Sequence, residues 1–161
     1  VLVDHQARGL VHPLVTLPNP EIGAGRLRGA WFAVAGEPPA INLIWQVVAD
    51  LRGQAVVVAA KNRAVYHATA VVASNHLVAL MGQVERLAEM TGVPMEAYLD
   101  LAAGALDDVR SMGSVAALTG PAARGDERTI ATHLDALPAT ERVTYSALAA
   151  EARRLIRESG T

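Results

Sequence analysis

The chain has 161 residues, 52% of them hydrophobic and 19% charged, so it is globular and long enough for a sizeable core. A net charge of -2, with Lys61 as the single lysine, excludes the clustered positive charge that a nucleic acid partner needs. The absence of cysteine excludes a disulfide framework and a thiolate metal site.

The start, Val1-Leu2-Val3 and then Gly9-Leu10-Val11 into His12-Pro13-Leu14, reads as the last strands of a domain that began upstream. Residues 1–35 are expected to be strands and loops, because Pro13, Pro18 and Pro20 bar a regular helix. Ala30-Trp31-Phe32-Ala33-Val34-Ala35, closed by Gly36, is expected to be a buried strand. Glu37-Pro38-Pro39 seeds a helix over 40–51 with Ile41, Ile44, Trp45 and Val48 on one face, and Gly53 ends it. β-Branched residues over 54–58 predict a further strand.

From Asn62 to Met90 apolar residues recur at helical spacing with no proline, which predicts one long helix ended by Thr91-Gly92. Pro94 starts another, to Met112, followed by Gly113 and a short helical turn over 114–118. Residues 119–126 are expected to be a loop, with Asp126 capping a helix over 127–137. After Pro138, Thr140 is expected to cap a last helix running to Glu158. The longest apolar stretches carry His, Asn, Gln or Glu, so no membrane span is expected and the expected setting is the cytoplasm. The fold class is mostly α: a helical bundle with one long central helix, preceded by short strands. The expected boundary falls at 58/59, between the strands and helix of 1–58 and a helical domain over 59–161.

The long helix carries the chemistry. At about 100° per residue, His67, Val71, Ser74 and Val78 share one stripe, with Asn75 about a quarter-turn away. A His-Ser-Asn group in an Ala/Val helix either lines a cleft or satisfies itself on neighbouring backbone. His76 faces the other way. Arg124, in Arg124-Gly125-Asp126, offers a planar fork for a carboxylate or phosphate beside the start of a helix, or is a surface group next to a cap. His12 before Pro13 is either a strand-end site residue or a turn residue on the surface. His133 is expected to be a partly buried packing residue. The histidines lack the i, i+4 spacing of a metal site, and Gly23-Ala24-Gly25 is not a dinucleotide fingerprint.

His12-Pro13-Leu14, the 29–36 run, Tyr66-His67-Ala68, Ala73-Ser74-Asn75, Leu118-Thr119-Gly120-Pro121, Arg124-Gly125-Asp126 and His133-Leu134 occur in that order. The set resembles proteins that join a Rossmann-like domain to a helical domain of unknown function, number 2520, regarded as NADP oxidoreductases. The resemblance covers nearly the whole chain. It implies kinship with 6-phosphogluconate-dehydrogenase-like C-terminal domains, among them ketopantoate and pyrroline-carboxylate reductases. It also implies a homodimer through the long helix, and a small substrate bound between the helical and nucleotide domains. His67, Ser74 and Asn75 would then face substrate and nicotinamide, Thr119 and Arg124 would border the same cleft, and His12 would sit at the junction after the Rossmann strands, which would make residues 1–58 the end of a Rossmann-like domain. The Gly-rich phosphate loop that holds NADP in such proteins is not in this sequence.

Two functions follow. The first is the C-terminal part of an NAD(P)-dependent oxidoreductase acting on a small carbonyl or imine, in the manner of a ketopantoate reductase, with His67 as proton donor. The second is a non-catalytic dimerisation or ligand-binding module.

Overall fold

The computed structural model describes residues 7–159. The expected Val1-Leu2-Val3 strand lies outside them. The chain divides into two compact units, Val1–Leu80 and Met81–Thr161, each described by itself.

The first unit is built on a three-stranded sheet in the order β1-β2-β3. β1 (Gly9–Pro13) is antiparallel to β2 (Trp31–Gly36), and β3 (Gln54–Val57) runs parallel to β2. The parallel pair is joined by α2 (Pro38–Asp50), a strand-helix-strand crossover. Alternation along β2 sends Phe32 and Val34 to one face, where they pack with Ile44 and Val48 of α2 in the buried core. Ile41 is packed against this core as expected, whereas Trp45 is exposed.

The other face of β2 begins with Trp31 and continues with the small Ala33 and Ala35. Opposite them in β1 stand His12 and Leu10, on the same face because directly paired residues of an antiparallel ladder point the same way.

Residues 20–27 correct the expectation of strand and loop. They form α1 (Pro20–Leu27). Pro20 occupies the first helical turn, where its missing N–H removes no helix bond, and the Ile22 N–H donates to Oδ1 of the capping Asn19 at 2.9 Å.

The predicted long helix is a single rod over Ala60–Thr91. It opens with a 3-10 turn (Ala60–Asn62) and continues as α3 (Arg63–Val71), a π turn (Val72–His76) and α4 (Leu77–Thr91). By length and composition alone it qualifies as a membrane span, contrary to expectation, since its alanines and valines outweigh the scattered polar groups.

The second unit contains the end of α4 together with α5 (Met95–Ala117), α6 (Pro121–Arg124), α7 (Glu127–Ala136) and α8 (Ala139–Ser159). Gly113 leaves helical geometry at φ 81°, so α5 is two helical pieces, as the sequence predicts. The expected 119–126 loop holds one helical turn. The last helix starts at Ala139 rather than after a Thr140 cap, with the Glu141 N–H donating to the Pro138 carbonyl. A polar node ties α4 to α8. Glu141 is buried, accepts from Arg86 Nε and Nη2 at 2.9 and 3.0 Å, and its carbonyl accepts from buried Gln83. The Arg86 guanidinium holds the Glu141 carboxyl below its usual range.

Candidate active-site cleft

A cleft of about 560 Å³ opens in the first unit, and its walls explain its chemistry. One wall is the extended segment that leaves β1, Pro13 to Pro18. Pro13 and Pro18 stiffen it, Leu14 N–H prolongs the ladder to the Trp31 carbonyl at 2.8 Å, and Arg26 of α1 clamps the Thr16 carbonyl and hydroxyl. The other wall is the helical stripe His67, Ala70, Val71, Ala73, Ser74, Asn75. His12 stands where the two walls join.

The three helix residues singled out by spacing therefore share one crevice with His12. Asn75 arrives there for a reason the spacing did not contain. A regular helix places it about 80° past the His67 stripe. The π turn over 72–76 closes on i→i+5 bonds, so each residue advances less than 100° and Asn75 lags back toward that stripe. Ser74 and Asn75 lie inside this turn. The Ser74 hydroxyl is within reach of two acceptors, the Ala70 carbonyl at 2.7 Å and Asn75 Oδ1 at 2.9 Å. With Oδ1 turned to Ser74, the Asn75 amide keeps both its N–H bonds for a ligand.

His12 is half-buried and its Nδ1 lies 2.5 Å from the Tyr66 hydroxyl. The two rings meet edge to face, and the His12 ring lies 6.3 Å from that of His67, also edge to face. Burial pushes the Tyr66 phenol above its ordinary value, so the phenol keeps a proton that it can donate to Nδ1. With the phenol as donor, His12 is the Nε2–H tautomer. The His67 side chain is exposed and makes no hydrogen bond among the described residues, so both its ring nitrogens are available. Small Ala33 and Ala35 are what allow α3 to bring Tyr66 and His67 down to His12. Tyr66 was not assigned from sequence. Its signal was available: an aromatic with a polar tip next to His67, on a helix otherwise made of Ala and Val.

Thr119 and Arg124 belong to the second unit. Thr119 precedes α6 and is exposed; Arg124 is the last residue of α6 and is exposed. Asp126 caps α7 as predicted, its Oδ1 accepting the Thr129 N–H at 3.0 Å and its Oδ2 the Thr129 hydroxyl at 2.7 Å. These bonds hold its carboxyl below the usual range. The helix start that could have received an external anion is thus already served by an internal carboxylate. His133 corrects its expectation: it is exposed, with Nδ1 2.6 Å from the Tyr145 hydroxyl. His76 is exposed.

With this geometry in view, a family profile, Domain of unknown function (DUF2520), matches residues 30–152. The chain belongs to that family. No curated protein sequence matches this DUF2520 chain. Two solved structures share its fold. Protein TM1727 from Thermotoga maritima is 21% identical with a TM-score of 0.79, over 96% of this chain and 63% of its own. BF3122 from Bacteroides fragilis, named as a candidate NADP oxidoreductase, is 22% identical with a TM-score of 0.67, over 80% of this chain and 51% of its own. The chain therefore spans less than two thirds of the length of either.

Proposed function

We propose that this DUF2520 chain is the substrate-handling part of an NADP-dependent oxidoreductase that reduces a small carbonyl or imine. The observation that carries the reading is the convergence of His12, His67, Ser74 and Asn75 on one cleft. Its volume of about 560 Å³ lies within the ~300–1,000 Å³ range of small-molecule sites. The apolar Pro13–Pro18 wall suits a flat ring such as nicotinamide, and the polar helix wall suits a carbonyl. When bound, the cofactor supplies the hydride. Its phosphates find no Gly-rich loop among these residues, so they would be held by residues outside this sequence.

The chain's own work is to orient a carbonyl oxygen and to hand it a proton. The Asn75 amide donates to that oxygen. The Ser74 hydroxyl fixes the amide's rotamer. His67 would deliver the proton to that oxygen. His12, pinned by Tyr66, presents Nε2–H as a second fixed donor. A small carbonyl compound that also carries a carboxylate suits such a site. In the full-length protein, His67→Ala should lower turnover at least about a hundredfold with the cofactor's affinity unchanged. Unaltered turnover would remove His67 from the mechanism.

A second reading rests on the long helix. Val65 and Val72, two turns apart on one face, are 70% and 58% exposed. Monomeric soluble proteins seldom leave such a run uncovered. A second copy of the chain is the proposed cover, making a homodimer through this rod. Val72→Lys should then convert a dimer to a monomer by light scattering. A monomeric parent, or one that partitions into neutral phosphatidylcholine vesicles, counts against it.

A further inference from the structure

The cleft does not end at His67. Behind the His12–His67 pair lies a second cavity of about 180 Å³, floored by Ala33, Ala35 and Leu10 and walled by Tyr66 and Arg63. Both histidines line the two cavities in common. Arg63 also lines a third, about 370 Å³, on whose far side stand Arg8 and Glu37. Arg63 and His67 are four residues apart on α3. That spacing puts them one above the other, about 6 Å apart between Cβ atoms. The stripe read as His67, Val71, Ser74 therefore begins one turn earlier, with a guanidinium.

The Arg63 side chain has no hydrogen bond or ion pair among the described residues. The nearby carboxylate, Glu37, is instead held by the Arg8 backbone N–H at 3.0 Å. Apart from Arg63, Tyr66 and the His pair at its neck, the inner cavity is lined by apolar side chains. A chamber this small cannot admit a nucleotide and suits a short chain.

We propose that Arg63 is the anchor for a carboxylate on the substrate. The substrate class is then a short oxo acid whose carbonyl is separated from its carboxylate by an apolar spacer. The carboxylate pairs with Arg63, the spacer lies on Ala33, Ala35 and Leu10, and the carbonyl reaches the His12–His67 neck. This rests on the oxidoreductase reading for what happens at the carbonyl, but not for the binding itself.

The test uses the full-length protein and two probes, 4-oxopentanoate and its neutral counterpart 2-pentanone, titrated while the His12 and His67 imidazole resonances are followed. The wild type should bind the acid at least about tenfold more tightly, or about 1.4 kcal/mol. Arg63→Gln should abolish that preference and Arg63→Lys should restore part of it, with NADPH affinity unaltered in both. A preference that survives Arg63→Gln overturns the proposal. So does a loss confined to NADPH binding, which would make the guanidinium a partner of a nucleotide phosphate. Tight, Arg63-dependent binding of the acid without any NADPH-linked turnover of it would uphold the anchor and remove the oxidoreductase reading.

Discussion

Gly53→Ala offers a direct test of how the sheet is held to α2. A Cβ built at residue 53 would meet Phe32 Cε2 at 2.5 Å, the Ala30 carbonyl oxygen at 2.8 Å and Phe32 Cδ2 at 2.9 Å. Carbon atoms pack at about 3.5–4.0 Å, so the ring would have to move by about 1 Å. Phe32 is only 3% exposed and is enclosed by Val34, Ile44 and Val48. The backbone cannot yield easily either. Gly53 N–H donates to Val48 O at 2.9 Å and Gln54 N–H to Ala30 O at 2.8 Å, which fix the turn between α2 and β3. Overpacking of this kind costs about 1–3 kcal/mol. The stiffer unfolded chain returns about 0.4–1 kcal/mol. A net loss of about 1–2 kcal/mol is expected. Both tryptophans, Trp31 and Trp45, lie in the first unit, so urea unfolding followed by fluorescence reports on that unit. In a Phe32→Leu background the ring is gone and the penalty should shrink by at least about 0.5 kcal/mol. A neutral Gly53→Ala, or two changes that simply add, would refute the steric argument.

Other consequences are as direct. The Glu141 carboxyl is held low in the folded state, so its stabilisation is complete above the ordinary glutamate value of about 4.3 and disappears as pH falls through the lowered one. Thermal unfolding by circular dichroism should therefore show an acid-side decline that Glu141→Gln flattens; an unchanged slope would place the effect elsewhere. Tyr66→Phe removes the donor to His12 Nδ1. The His12 nitrogen shifts should then move from a fixed Nε2–H tautomer toward a mixture. Identical shifts in the two proteins would mean that the pair does not set the tautomer.

Much of the fold could be read from local signals. The Ala30–Ala35 strand, the rod ended by Thr91-Gly92, the break at Gly113 and the Asp126 cap each follow from a few neighbouring residues. The exception, α1, was hidden because Pro20 reads as a breaker unless Asn19 is recognised as the cap before it.

The site divides the same way. Helical periodicity alone placed His67 and Ser74 on one stripe, because that relation is internal to a single helix. Arg63 belongs to the same stripe and could have been read with them. What periodicity could not supply was a partner 54 residues away: His12 meets Tyr66 only because the β1–β2 register turns His12 onto the face where Ala33 and Ala35 leave room for α3. Nor could it supply the π turn, whose altered pitch brings Asn75 around to the cleft. Contacts within one element are written in residue spacing; contacts between elements depend on strand register and on how much volume a sheet face leaves empty, and those are settled only when the chain packs.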